Sequence, residues 1–209
     1  MESIWLMLAI ALFVVILLVA AYFIQKQRIE EFRLLAKSFG TNVTVAAGVW
    51  EGPVITFERD GTVFNGEIRR MKYAWDFVVN FELPPSSVHF HIRSKSILAS
   101  TYVFSRPIPA PSPDWHAVNS PQLSETHVAY SRDPEHLVAL LSNSTVIDKL
   151  TNYDISSGRF IDIWTEHGRV ELMYHADGQG VREKMLDVFE TAIVFHDRLK
   201  VLTAPQQKI

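Results

Sequence analysis

The chain reads as α+β: a single N-terminal transmembrane helix with an amphipathic stem, then an antiparallel β-rich domain packed with two helices. Three observations carry this reading. Residues Ile4 to Ile24 form an unbroken apolar run with no charge in it. Several later stretches alternate apolar and polar residues, the period of a half-buried strand. Further stretches repeat apolar residues at spacings of three and four, the period of a helix.

At about 1.5 Å per residue, Ile4–Ile24 spans roughly 31 Å, the thickness of a bilayer's hydrocarbon core. A cleavable signal peptide is the competing reading. It would carry a basic start, a shorter apolar core and a small-x-small cleavage site. Here Met1-Glu2-Ser3 is acidic, the run is longer, and Val19-Ala20-Ala21 is a poor cleavage site. A retained anchor is the expectation. Trp5 and Tyr22 sit near opposite ends of the span, where amphipathic rings favour the headgroup layer. Lys26, Arg28, Arg33 and Lys37 follow the run and no cation precedes it. Lys and Arg stay on the cytoplasmic side. The expected topology is therefore single-pass in the inner (plasma) membrane, N-terminus outside, with residues 25–209 cytoplasmic. The absence of cysteine fits a reducing compartment. Two glycosylation triplets, Asn42-Val43-Thr44 and Asn143-Ser144-Thr145, are incidental in that topology. The span has no glycine, and Ala9 and Ala11 do not share a helix face, so small-xxx-small self-dimerisation is not indicated.

The pattern divides into an anchor (1–24), a helical stem (25–40), an antiparallel β lobe (41–105), a Pro-rich loop (106–126) and an α+β lobe (127–209). In the stem, Ile29, Phe32, Leu35, Ala36 and Phe39 make one apolar stripe, and Gly40 ends it as a C′ glycine. In the β lobe, Asp60-Gly61 signals a two-residue hairpin and Gly66 a bulge. Phe77, Val79, Phe81 and Leu83 alternate with Val78, Asn80 and Glu82, and Pro84-Pro85 stops the strand. Val88, Phe90 and Ile92 alternate with His89, His91 and Arg93. Such alternation means one buried face and one wetter face.

Pro107, Pro109, Pro111 and Pro113 exclude helix and favour extended geometry, and Trp115 is expected to pin this loop to the domain. Asp133-Pro134 reads as N-cap and N1 of a helix, broken at Ser142-Asn143-Ser144. A second hairpin turns at Glu166-His167-Gly168. The last helix, 181–202, carries a clean apolar stripe that includes His196, read as a core residue.

Chemistry leaves few marks. His89 and His91, two apart on a strand, share a face and form the best metal candidate, but no third ligand is nominated. Gly178-Gln179-Gly180 lacks the residues of a phosphate-binding loop and reads as a turn. Asp162 and Glu171 are placed to face each other across the second hairpin. There is no cysteine and no Gly-x-Ser-x-Gly elbow. The expectation is no catalysis, no cofactor and no resident metal. The net charge of −3 carries no nucleic-acid footprint. Arg69, Arg70 and Lys72 are candidates for partner or lipid-headgroup contact, as is Trp115. Trp50, Trp75, Trp115 and Trp164 would offer aromatic surface to a partner.

These features point to an accessory or scaffolding subunit of a larger bacterial inner-membrane complex, such as a respiratory, photosynthetic, transport or secretion assembly. Its partners would be other membrane-protein subunits, met through helix 4–24 and the soluble domain, and the lipid bilayer. The alternative is a membrane-anchored module that binds or senses a small molecule or lipid headgroup.

Overall fold

One unbroken helix, α1 (Glu2–Phe39), joins the apolar run to the stem. It is long and apolar enough over Trp5–Leu34 to cross a membrane, and residues 5–24 are all exposed. Its last third behaves differently. Phe32 and Ala36 are buried, so the stem stripe is a packing face. The computed structural model describes residues 2–39, 43–46, 53–70, 75–83, 88–95, 114–153, 159–166, 168–176 and 178–203. Gly40, Trp50, Lys72 and the run Pro107–Pro113 lie outside the described residues.

The strands are β1 (Val43–Ala46), β2 (Val54–Arg59), β3 (Thr62–Arg70), β4 (Trp75–Glu82), β5 (Phe90–Ser94), β6 (His116–Ala117) and β7 (His127–Ser131). Helices α2 (Pro134–Leu141) and α3 (Ser144–Thr151) follow, then β8 (Phe160–Glu166), β9 (Arg169–Ala176) and α4 (Gly178–Thr203). They form one nine-stranded sheet of order β1-β2-β3-β4-β9-β8-β5-β7-β6. All its pairings are antiparallel. β1 to β4 make a meander. β9 pairs with β4, so strands from segments 41–105 and 127–209 share this sheet.

Local chemistry explains the turns. Asp60 (φ 51°) and Gly61 (φ 78°) both take positive φ, as a type I′ hairpin requires. Gly168 (φ 80°) does the same between β8 and β9. Gly66 is not at a bulge: the β2–β3 and β3–β4 registers run through it without a break. It is small because Phe189 crosses it. A Cβ there would lie 2.4 Å from the Phe189 ring.

The expected helix of the second lobe is two. Pro134 occupies the first turn of α2, but the Asp133 side chain does not cap it. Its Oδ2 lies 2.6 Å from His136 Nδ1 instead. Asn143 Oδ1 accepts from the Val146 N–H at 3.2 Å and starts α3 after the break. Within the segment read as loop, His116–Ala117 adds a short edge strand on β7.

The core lies on one face of the sheet. Phe64, Phe77, Phe81, Leu172 and Tyr174 are buried there under α4, α2 and α3. Phe189 of α4 packs on Phe77 and Phe195 on Phe90. His196 is a core residue. Its Nε2 lies 2.9 Å from Thr62 Oγ1, and its ring stands edge-on to Phe64 and Phe81.

Candidate functional site

The opposite face holds the unusual chemistry. Strand alternation puts Asp76, Val78 and Asn80 of β4 on it, and the register carries the face outward: Asp76 opposes His175, Val78 opposes Met173, and Asn80 opposes Glu171. On β8 it continues through Asp162 and Trp164, and on β5 through His91 and Arg93. Alternation made this the wetter face. The structure buries its centre: Asp76, Val78, Asp162, His91, Arg93, Glu171, His175 and Trp164 are all buried. β5 is buried at all five positions.

Charges survive here because each meets its opposite across a strand boundary. Asp162, fully buried, opposes Arg93. Its Oδ2 accepts from Arg93 Nη2 at 2.6 Å and from Nε at 3.1 Å. Its Oδ1 meets His91 Nε2. Asp76 Oδ1 lies 2.6 Å from His175 Nδ1. Arg69 donates to Glu171 Oε1 at 3.0 Å and to Glu67 Oε1 at 2.6 and 2.8 Å. Burial disfavours the Arg69 cation, but the Glu67 hydrogen bond and the Glu171 and Glu67 charges outweigh it and hold its pKa above the ordinary value.

Towards one end, this face opens into a concavity of about 550 Å³. Thr62, Asn65, Glu67, Asn80, Glu82 and Arg169 line it. Asn65 opposes Asn80, and Glu82 opposes Arg169. Asn65 Oδ1 accepts from Thr56 Oγ1 at 3.0 Å. The amides and acids make a polar surface able to accept several hydrogen bonds from a small polar ligand.

At the far edge, Ser94 Oγ lies 3.2 Å from His127 Nε2, a spacing that suits a nucleophile and its base. The surroundings do not activate it. Ser94 is buried, and its hydroxyl accepts from the Ile161 N–H and donates to the Ile161 carbonyl. His127 Nδ1 meets the Thr126 hydroxyl at 2.9 Å, not a carboxylate. Burial drives the His127 pKa down to about 4, leaving a neutral, weakly basic ring.

The residues singled out in the sequence scatter over this frame. His91 does not offer Nε2 to a metal: it faces Asp162, beside the Arg93 cation, which opposes a second cation. His89 precedes β5, half-buried, and its carbonyl accepts from Ser131 Oγ and the Arg132 N–H. Among the described residues no group of three His, Asp or Glu is arranged to hold a metal. Asp162 and Glu171 share the face but are not opposed. Asp162 opposes Met173 and Glu171 opposes Trp164, and each carboxylate takes its own arginine.

Trp5, Tyr22 and Lys26 are exposed on α1, and Arg28 lies on the same helix. Arg70 ends β3. Trp115 is half-buried with the Arg132 guanidinium 5.3 Å from its ring centroid, which supports its role as a pin. The aromatic partner surface is a correction: Trp164 is buried, and Trp75 packs against the core.

Sequence reasoning missed the Asp76–His175 and Asp162–Arg93 pairs. Alternation shows which residues share a strand face, and only the register shows which are neighbours across strands. No protein-family model, curated protein or solved structure matches the chain.

Proposed function

We propose that this protein is a non-catalytic, single-pass accessory subunit of an inner-membrane assembly, anchored by helix 4–24 with its sheet domain on the cytoplasmic side. The observation that supports it is the continuity of α1. The helix that exposes residues 5–24 buries Phe32 and Ala36 in the domain. A domain that needs only tethering is served by a flexible linker. A docked stem fixes the rotation of the membrane helix relative to the sheet. A partner gripping both then meets one geometry. The mutual neutralisation of the buried charges suits a scaffold.

The test is extraction in mild detergent, pulldown on a C-terminal tag and mass spectrometry. Stoichiometric recovery of other membrane subunits is the expected result. Recovery as a lone monomer or small homo-oligomer defeats the reading. Protease cleavage of the domain only from the periplasmic face would reverse the topology.

A second reading, small-molecule binding, is favoured by the polar concavity lined by Asn80, Glu82 and Arg169. Ligand-induced thermal stabilisation of the full-length protein, lost in Asn80→Ala with Glu82→Ala, would establish it.

A further inference from the structure

α1 also constrains how the domain stands on the bilayer. Phe32 lies against Phe77, in the row that contains Ile68 and Tyr174. Val43, which begins β1, lies in the row of Phe57, Phe64 and Phe81. Those rows are about 13 Å apart along β4. From Phe32 to Phe39 the helix advances about 10 Å.

Were it to advance towards the Trp75 end of β4, Phe39 would lie about 23 Å from the Val43 row, and the step from Phe39 to Val43 reaches about 14 Å at most. The helix therefore runs from the Trp75 end towards the β2–β3 hairpin. α4 runs the same way, with Phe189 against Phe77 and His196 at Thr62 beside the hairpin.

The bilayer then lies beyond the end of the sheet that holds Arg70, Trp75, Ala176 and the start of α4. Ile24, the last apolar residue of the span, precedes Phe32 by about 12 Å of helix. Trp75 precedes Phe77 by about 7 Å of strand. For a helix aligned with the strands, the end of β4 sits about 5 Å from the hydrocarbon boundary, inside the headgroup layer.

We infer that this end of the domain rests on an anionic lipid surface. The inference builds on the membrane-anchored reading above. The chain entering and leaving this end reads Arg69-Arg70-Met71-Lys72-Tyr73-Ala74-Trp75: three cations, two interfacial aromatics and no acid. Arg69 is committed to Glu67 and Glu171. Arg70 and Lys72, with Lys26 on the stem, supply the attraction to phosphate-bearing headgroups, and Tyr and Trp favour the same layer. The polar concavity beside the hairpin then opens away from the bilayer.

The chain has no cysteine, so single labels can be placed at will. Full-length Leu12→Cys, Gln179→Cys and Val201→Cys proteins, each carrying a fluorophore, would be reconstituted into phosphatidylcholine vesicles with and without phosphatidylglycerol. All three positions are exposed; Gln179 is at the start of α4 and Val201 near its end. The label at 12 should be quenched by acyl-chain-labelled lipid. The label at 179 should be quenched several-fold more than that at 201 by headgroup-labelled lipid. Phosphatidylglycerol should increase the quenching at 179, and Arg70→Glu with Lys72→Glu should abolish that increase.

An unquenched label at 12 overturns the anchored reading and this inference with it. A quenched label at 12 with 201 quenched as strongly as 179 overturns the orientation alone. Quenching at 179 that ignores phosphatidylglycerol, or a response that survives the charge reversal, overturns the anionic contact.

Discussion

Phe32 meets Phe77 edge to face, ring centroids 6.3 Å apart and planes at 78°. One belongs to the helix that carries the apolar span and the other to a central strand, and both are fully buried. The stem is thus part of the core layer. Phe32→Ala should destabilise the full-length protein in detergent by about 3–5 kcal/mol, the usual cost of deleting a buried ring. A version starting at Gln25 should unfold at a clearly higher denaturant concentration than one starting at Thr41. Equal midpoints would show that the stem is a tether.

Gly66 and Phe189 make a second close pair. A methyl group on Gly66 would lie 2.4 Å from one Phe189 ring carbon and 2.8 Å from Ile55 Cγ2. Gly66→Ala should cost about 1–3 kcal/mol through overpacking. Phe189→Leu should return part of that loss when combined with it, so a double-mutant cycle by thermal unfolding should show coupling. Strict additivity would mean that the ring moves aside freely. Gly61 is a contrast: nothing lies within 4 Å, and Gly61→Ala should cost about 1–2 kcal/mol through its positive φ alone.

How much of this was legible follows from the range of each interaction. The spacing of Ile29, Phe32 and Ala36 announced an apolar stripe, and Asp60-Gly61 announced the hairpin, because both signals lie within a few residues. The helix pair around Asn143 was legible for the same reason. The union of β4 with β9 was not, since nothing near Phe77 names Tyr174 as its neighbour. His91 and Arg93 looked solvated because alternation counts polarity and cannot see Asp162 across the strand. Gly66 looked like a bulge because its real cause, the Phe189 ring, is far away in the chain. The polar concavity depends on register throughout and had no local signal.

Asp162 holds two basic side chains in a buried place. Removing it strands the Arg93 guanidinium without a counter-charge, which typically costs about 3–5 kcal/mol. Asp162→Ala should therefore unfold far more readily than wild type in a denaturant titration. Replacing Asp162, Arg93 and His91 together by apolar residues of similar volume should recover much of the loss, since a buried ion pair gains little over good apolar packing. A triple variant no more stable than Asp162→Ala would instead show that these side chains are needed for more than mutual neutralisation.

His127 gives the domain an acid-sensitive edge. Its folded pKa is about 4, below the ordinary 6.5, because burial disfavours the imidazolium. The unfolded chain therefore binds a proton that the folded chain refuses between those values. Stability should rise with pH across that window: complete above about pH 6.5, falling as the solution is acidified, with the full loss reached near pH 4. The loss is on the order of 3 kcal/mol, from the size of the shift. Carboxylates titrate in the same range, so the measurement is a difference. The stability of wild type should fall more steeply between pH 6.5 and 4 than that of His127→Gln, followed by denaturant midpoint. The amide keeps hydrogen-bonding groups near Ser94 and Thr126 without a titrating ring. Parallel pH profiles for the two proteins would show that His127 accepts its proton in the folded state without resistance.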